Sequence, residues 1–206
     1  MRSPSALFCA PSPPPSGAGC KGFRTSVGHC ESASPGVRFA RPELGCKLRA
    51  VSNFIIRPAC AEDAEQAVRV IRASISELCQ ADHHDDATTL ERWLGNKTVG
   101  AFRRWLANPD SFFVVPDLGG DMCGVAAINR GEVTLCYVQP GRERSGLGTA
   151  MLGALEARAK DWQLADLRLH STDRARAFYE RRGYVATGEV ALSHGSRRTY
   201  RYAKQL

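Results

Sequence analysis

The 206-residue chain reads as an α/β protein, with one domain built on a mixed central sheet of about seven strands flanked by helices. Three observations predict it. Short β-rich runs, several alternating apolar with polar residues, are interleaved with segments whose apolar residues recur every three or four positions. Their order is strand, helices, three strands, helix, strand, helix, two strands, which is an α/β rather than an all-β pattern. A glycine-rich turn joins one alternating run, Glu132–Val138, to a long amphipathic segment.

Taken in order, Phe54–Arg57 is a short apolar strand. Ala61–Cys79 predicts a helix, because Ala64, Ala67, Val68, Ile71, Ile75 and Leu78 fall on one stripe. Glu62 and Asp63 suit its first turn. Gln80–Asp86 is a polar break. Thr88–Leu94 and Thr98–Leu106 predict two shorter helices, the latter with Phe102, Trp105 and Leu106 on one face. Ser111–Val115 is a strand, and Leu118-Gly119-Gly120-Asp121 is a hairpin turn leading into a strand over Met122–Ile128. In Glu132–Val138, Val133, Leu135 and Tyr137 alternate with Glu132, Thr134 and Cys136. The helix after the glycine loop carries Met151, Leu152, Leu155, Ala159 and Trp162 on one stripe. Ala165–Leu169 is a strand. Thr172 is the expected N-cap of a helix ending at Gly183. Tyr184–Leu192 and Arg198–Ala203 form a final hairpin around Ser193-His194-Gly195.

Composition divides the chain near residue 50. Residues 1–50 hold seven of the eleven prolines, four of the eight cysteines and seven Lys/Arg against only Glu31 and Glu43. Pro11-Ser12-Pro13-Pro14-Pro15-Ser16 enters neither a helix nor a central strand. We read 1–50 as a disordered extension, and three explanations stand: a transit peptide, a tail with its own partner, or residues upstream of the natural start. The last is preferred, since Val51-Ser52-Asn53-Phe54-Ile55-Ile56-Arg57-Pro58 reads as a domain's beginning. The domain, 51–206, has a net charge of only +2, which argues against nucleic acid as a partner. No apolar run is long enough to span a membrane, so a soluble, cytoplasmic protein is expected. Cys60, Cys79, Cys123 and Cys136 lie in apolar contexts at irregular spacing; buried thiols are expected, not a metal or disulfide framework.

The chemistry lies in Val138-Gln139-Pro140-Gly141-Arg142-Glu143-Arg144-Ser145-Gly146-Leu147-Gly148-Thr149-Ala150. Backbone N–H groups and the positive dipole end at a helix N-terminus suit a pyrophosphate. Further on stands Ala175-Arg176-Ala177-Phe178-Tyr179-Glu180-Arg181-Arg182-Gly183-Tyr184. The two motifs together resemble the GNAT superfamily of N-acetyltransferases over roughly residues 53 to 206.

The resemblance implies acetyl-CoA as donor and a primary amine as acceptor. It places the pyrophosphate on Arg144, Ser145, Gly146, Leu147, Gly148 and Thr149, and the pantetheine along the strand ending at Val138, whose N–H is the natural oxyanion donor. It makes Tyr179 the acid that protonates the leaving thiolate. Relatives often carry a carboxylate at the position of Glu132, acting as base through water. Two departures stand out. Glu143 occupies a position that is usually Gln or Arg, with Arg142 and Arg144 beside it in compensation. Thr172 stands where many relatives have Asn, and retains the ability to bond the pantetheine. His83, His84, Asp85 and Asp86 are the acceptor-side candidates, against a solvated turn in which Asp86 caps a helix; no metal is expected there. Trp93 and Trp105 are candidates for shaping that pocket, with core packing the default reading. Cys136 lacks a basic neighbour, which favours direct attack by the amine over an acyl-cysteine. A small-molecule amine is the preferred acceptor. Acetylation of a protein N-terminus or lysine stays open, as does a non-catalytic acetyl-CoA-binding regulatory module. A homodimer through the later strands is a further expectation of the family.

Overall fold

The computed structural model describes residues 54–191 and 198–206. The expected extension over 1–50 and the turn at Ser193-His194-Gly195 lie outside the described residues. Strand β1 (Ile55–Pro58) leads through a 3-10 turn (Ala61–Asp63) into α1 (Ala64–Ala73), which continues as a π-helical turn over Ser74–Leu78. Then come α2 (Gln80–His83), α3 (Ala87–Leu94), α4 (Val99–Leu106), β2 (Ser111–Leu118), β3 (Asp121–Met122), β4 (Gly124–Asn129) and β5 (Glu132–Val138). The second half holds α5 (Leu147–Asp161), β6 (Asp166–Ser171), α6 (Arg176–Glu180), β7 (Val185–Ala191) and β8 (Arg198–Gln205).

The eight strands form one sheet in the order β1-β2-β4-β5-β6-β8-β7, with β3 paired to β2 off that path. All neighbours are antiparallel except β5 and β6. The strand beyond the expected seven arises because Met122–Ile128 is broken at Cys123, whose N–H turns back to the Pro116 carbonyl. The hairpin before it turns on Gly119 (φ 65°) and Gly120 (φ 98°), the two positive φ angles that a two-residue hairpin requires.

The expected single helix over 61–79 is three pieces. Asp63 accepts the Cys60 N–H at 2.8 Å and receives both Arg57 terminal nitrogens at 2.7 and 2.8 Å, which fixes the entry from β1. The polar break also differs: Gln80–His83 makes one helical turn, and the chain reverses at His84 (φ 51°) and Asp85 (φ 53°). Asp86 then caps α3 by accepting the Thr89 N–H, and Thr98 caps α4 by accepting that of Ala101. Thr172 is not the N-cap expected of it. Helix α6 starts four residues later, with Ala175 at its N-cap. The Thr172 carbonyl, not its hydroxyl, takes the Ala175 N–H. At the other end Gly183 (φ 84°) closes the helix, with the Tyr184 N–H on the Tyr179 carbonyl.

Each face of the sheet has its own core. On one, Met151, Leu152, Leu155 and Ala159 of α5 and Phe178 and Tyr179 of α6 cover Val133, Cys136 and Val138 of β5. On the other, α1, α3 and α4 pack against β2, β4 and β5 through Ile71, Trp93 and Phe102 on Leu135 and Tyr137. Val133 and Leu135 therefore face opposite ways, against the simple alternation expected of β5. The cause is a β-bulge: Ala127 pairs with Leu135 but Ile128 with Val133, leaving Thr134 as the extra residue. The bulge reverses the phase of the strand and buries Cys136.

Candidate active site

The parallel neighbours β5 and β6 pair only at Glu132 with Arg168 and Val133 with Leu169. Beyond Val133 the two strands part, while β5 stays paired to β4 as far as Val138. The Gln139 N–H reaches the Cys123 carbonyl of the β4 side at 2.8 Å. Successive amides along a strand point opposite ways, so the N–H groups of Tyr137 and Gln139 face β4. Those of Cys136 and Val138 face the gap. The open edge thus offers two amide donors. The Cys136 amide shares the phase of Val138, two residues on, and the sequence does not show where β5 and β6 part.

The gap leads to the N-terminus of α5. Gly146 (φ 90°) is the N-cap and no side chain caps the helix; the first bond within it runs from the Ala150 N–H to the Gly146 carbonyl. The N–H groups before Ala150 are the leftover donors of a helix start. Arg144 takes a positive φ of 60°, and Ser145 bonds the Arg142 carbonyl at 2.6 Å, which tightens the turn. Arg142, Arg144 and Ser145 are exposed, whereas Leu147 and Gly148 are buried. Glu143 is half-buried between the two arginines. Thr149 accepts a hydrogen bond from Arg182 of the segment after α6.

Tyr179 is fully buried, its ring edge-on to Phe178 and Tyr184 with centroids 5.1 and 5.8 Å away. Its side chain lies close to the Cys136 thiol, in the core on the α5 side of β5. Burial pushes that thiol up to about 12, and the nearby Tyr179 only partly offsets it. A thiol so placed stays protonated and is no nucleophile. Cys136 is therefore expected to resist iodoacetamide at pH 8 in the folded protein, as read by mass spectrometry of the labelled peptide. The Thr172 hydroxyl is buried at the end of β6 without a hydrogen-bond partner among the described residues.

At the paired end of β5 and β6 a cleft of about 440 Å³ is lined by Asn129, Arg130, Glu132, Arg168, Leu169, His170, Thr187, Arg201 and Tyr202; Val138, Thr172 and Tyr179 do not line it. Glu132 faces His170 across it, with Oε1 to Nε2 at 4.0 Å. Burial holds His170 below its ordinary pKa of 6.5, against the pull of Glu132 and together with the push of Arg201. The sign for stability follows. The unfolded chain takes up this proton first, so stability is full above about pH 6.5 and falls as the pH drops below it. His170→Gln is expected to flatten urea-unfolding stability between pH 6.5 and 5, above the ordinary carboxylate range. His170 and Arg201 were absent from the sequence reading, because only the β6–β8 pairing sets them side by side.

The acceptor-side candidates sit elsewhere. His83 is buried and its Nδ1 accepts the Asp85 N–H at 3.2 Å. His84, Asp85 and Asp86 face solvent, and Asp86 serves as the α3 cap, which holds its carboxyl below the usual range. None of the four lines the cleft. Trp93 is core, and Trp105 packs at its margin under the Lys97 ammonium, 5.6 Å from the ring centroid. Among the described residues no group of three or more His, Cys, Asp or Glu is placed to hold a metal, and no helix is long and apolar enough to cross a membrane.

A family model described as an acetyltransferase (GNAT) domain matches residues 79–204. The chain belongs to the GNAT acetyltransferases. It is an acyltransferase that works with acetyl-CoA. Among solved structures it is similar to the GCN5-related N-acetyltransferase (aminotransferase, class-II) of Rhodopseudomonas palustris, at 25% identity and a TM-score of 0.66, over 74% of this chain and 95% of that one. It shares its fold with the paiA N-acetyltransferase of Thermoplasma acidophilum solved with coenzyme A (17% identity, TM-score 0.61, 74% and 99% covered). It shares it too with an aminoglycoside 6'-acetyltransferase of type Ii (18%, 0.57, 73% and 96%). No curated protein matched. In this GNAT chain the open β5 edge, the uncapped α5 start and the buried Thr172 hydroxyl fit the donor expected of the family.

Proposed function

We propose that the protein acetylates a primary amine of a small molecule by direct attack. The observation that carries this reading is the parting of β5 and β6. It frees an amide edge on β5, and Glu132, which lines the cleft, stands at the paired end from which the strands diverge. Acetyl-CoA supplies the acetyl group as a thioester. The amides of Arg144, Ser145, Gly146, Leu147, Gly148 and Thr149 hold the pyrophosphate, with Arg142 and Arg144 adding positive charge outside. The Val138 amide and the Thr172 hydroxyl hold the pantetheine arm.

Glu132 and Val138 are six residues apart, roughly 20 Å along an extended strand, against roughly 13 Å for Glu132 and Cys136. The Cys136 amide, on the same edge and nearer the paired end, is the better oxyanion donor. This moves that role two residues along from Val138. Glu132 accepts the amine's proton, directly or through water. Tyr179 protonates the departing sulfur. Preorganised amides and proximity of amine to carbonyl supply the rest of the rate. Three buried thiols and the free Cys60 support a reducing, cytoplasmic setting.

The test is an acetylation assay of the full chain with a panel of small amines and of peptides, alongside Glu132→Gln. Turnover of small amines, with kcat/KM falling by about 10²-fold in Glu132→Gln at neutral pH, is the expected result. Turnover of peptides alone would assign the acceptor to proteins instead.

A further inference from the structure

The charges around the cleft specify more than an amine. Glu132, Arg168, His170 and Arg201 all lie on one face of the sheet. Val133, Leu169 and Tyr202, which alternate with them, belong to the core under α5. On the face of Glu132, the packed helices α1, α3 and α4 cover β2, β4 and the later part of β5. The first turn of β5 and its neighbours β6 and β8 form the cleft instead. Glu132 pairs in register with Arg168, and His170 with Arg201, so the four groups run across three adjacent strands.

Among the described residues, three guanidinium groups line this cleft against one carboxylate. Two have carboxylate partners that do not line it: Arg130 with Asp110 at 2.6 Å and Arg168 with Asp166 at 3.2 Å. Arg201 has no carboxylate partner among the described residues, and its charge acts on His170. His170 is held neutral by burial, so it does not answer Arg201 with charge. A plain alkylamine would bring one more positive charge to a cleft that already holds three guanidinium groups. A ligand with an acid group a few bonds from its amine would satisfy both ends, since a guanidinium fork matches a carboxylate or phosphate.

Resting on the acetyltransferase reading above, we propose that the acceptor is a small amino acid or amino-sugar-phosphate type of molecule, with its ammonium toward Glu132 and its acid group toward Arg201. Specificity then comes from Arg201, a residue outside both sequence motifs.

The test uses matched pairs that differ only in the acid group: 4-aminobutyrate with butylamine, and glucosamine 6-phosphate with glucosamine. Each is titrated by calorimetry into the full chain carrying CoA, then assayed with acetyl-CoA, for the natural protein and for Arg201→Gln. At least one acid-bearing member is expected to bind tenfold or more tightly than its partner, with the advantage lost in Arg201→Gln and no change for the acid-free member. The two pairs separate carboxylate from phosphate. Equal binding within both pairs, no binding by any of the four, or activity confined to acidic peptides would overturn the proposal. Binding of acetyl-CoA and turnover of acid-free amines in the same assays would leave the acetyltransferase reading standing while this one fell.

Discussion

Tyr179→Phe is expected to lower kcat by about 10²-fold or more and to leave the KM for acetyl-CoA little changed. General acid catalysis contributes factors of about 10² to 10⁴, and the amine cannot expel a thiolate efficiently without a proton donor. The buried ring fixes what the substitution does. Phe178 and Tyr184 hold it edge-on from two sides, and phenylalanine fills the same space. Only the buried hydroxyl is lost. Losing one buried hydroxyl costs about 1 kcal/mol or less, so the fold should persist and the melting temperature should move by only a few degrees. Steady-state kinetics beside a thermal melt separate the two effects. A drop in kcat with the melt preserved assigns the proton to Tyr179; full kcat would remove it from the mechanism and leave water as the donor.

How much of this was legible in the sequence depends on whether a signal is local. The Gly146 start of α5 and the Gly183 end of α6 were readable, because each is a backbone demand met by one residue at one place. The order of strands and helices was readable from periodicity. The bulge at Thr134 was not: one extra residue leaves the composition of β5 untouched yet exchanges the faces of everything after it. That Val133 and Leu135 face opposite ways was hidden for that reason. The Glu132–His170–Arg201 row was hidden for another, since its members are 38 and 31 positions apart and meet only through strand pairing. The cluster at 83–86 offered two readings, an acceptor side and a solvated turn with Asp86 as a cap, and adjacent polar residues alone do not separate them. In the fold they divide between a buried histidine, a left-handed reversal and a helix cap.

Gly124→Ala should be among the most damaging single-atom additions available. A Cβ there would lie 2.8 Å from the Tyr137 carbonyl oxygen and 3.0 Å from the Met151 methyl. The first contact is backbone and cannot swing away. Gly124 stands opposite Val138 in the β4–β5 register, so the strain falls on the end of β5 that carries the Val138 amide, and on the helix packed over it. Overpacking of this kind costs about 1–3 kcal/mol, which for a domain of this size lowers the melting temperature by roughly 2–4 °C per kcal/mol. The KM for acetyl-CoA should rise in step, because the displaced edge is the one proposed to hold the pantetheine. Gly153→Ala supplies the contrast. Gly153 lies in the same helix with nothing within 4 Å of the added methyl, and should gain about 0.5–1 kcal/mol from helix propensity alone. Chemical denaturation of the two variants checks both signs at once. Were Gly124→Ala as stable as the natural protein, β4 and β5 would have to part at Val138 at little cost. The rigid amide edge on which the donor site is built would then be lost.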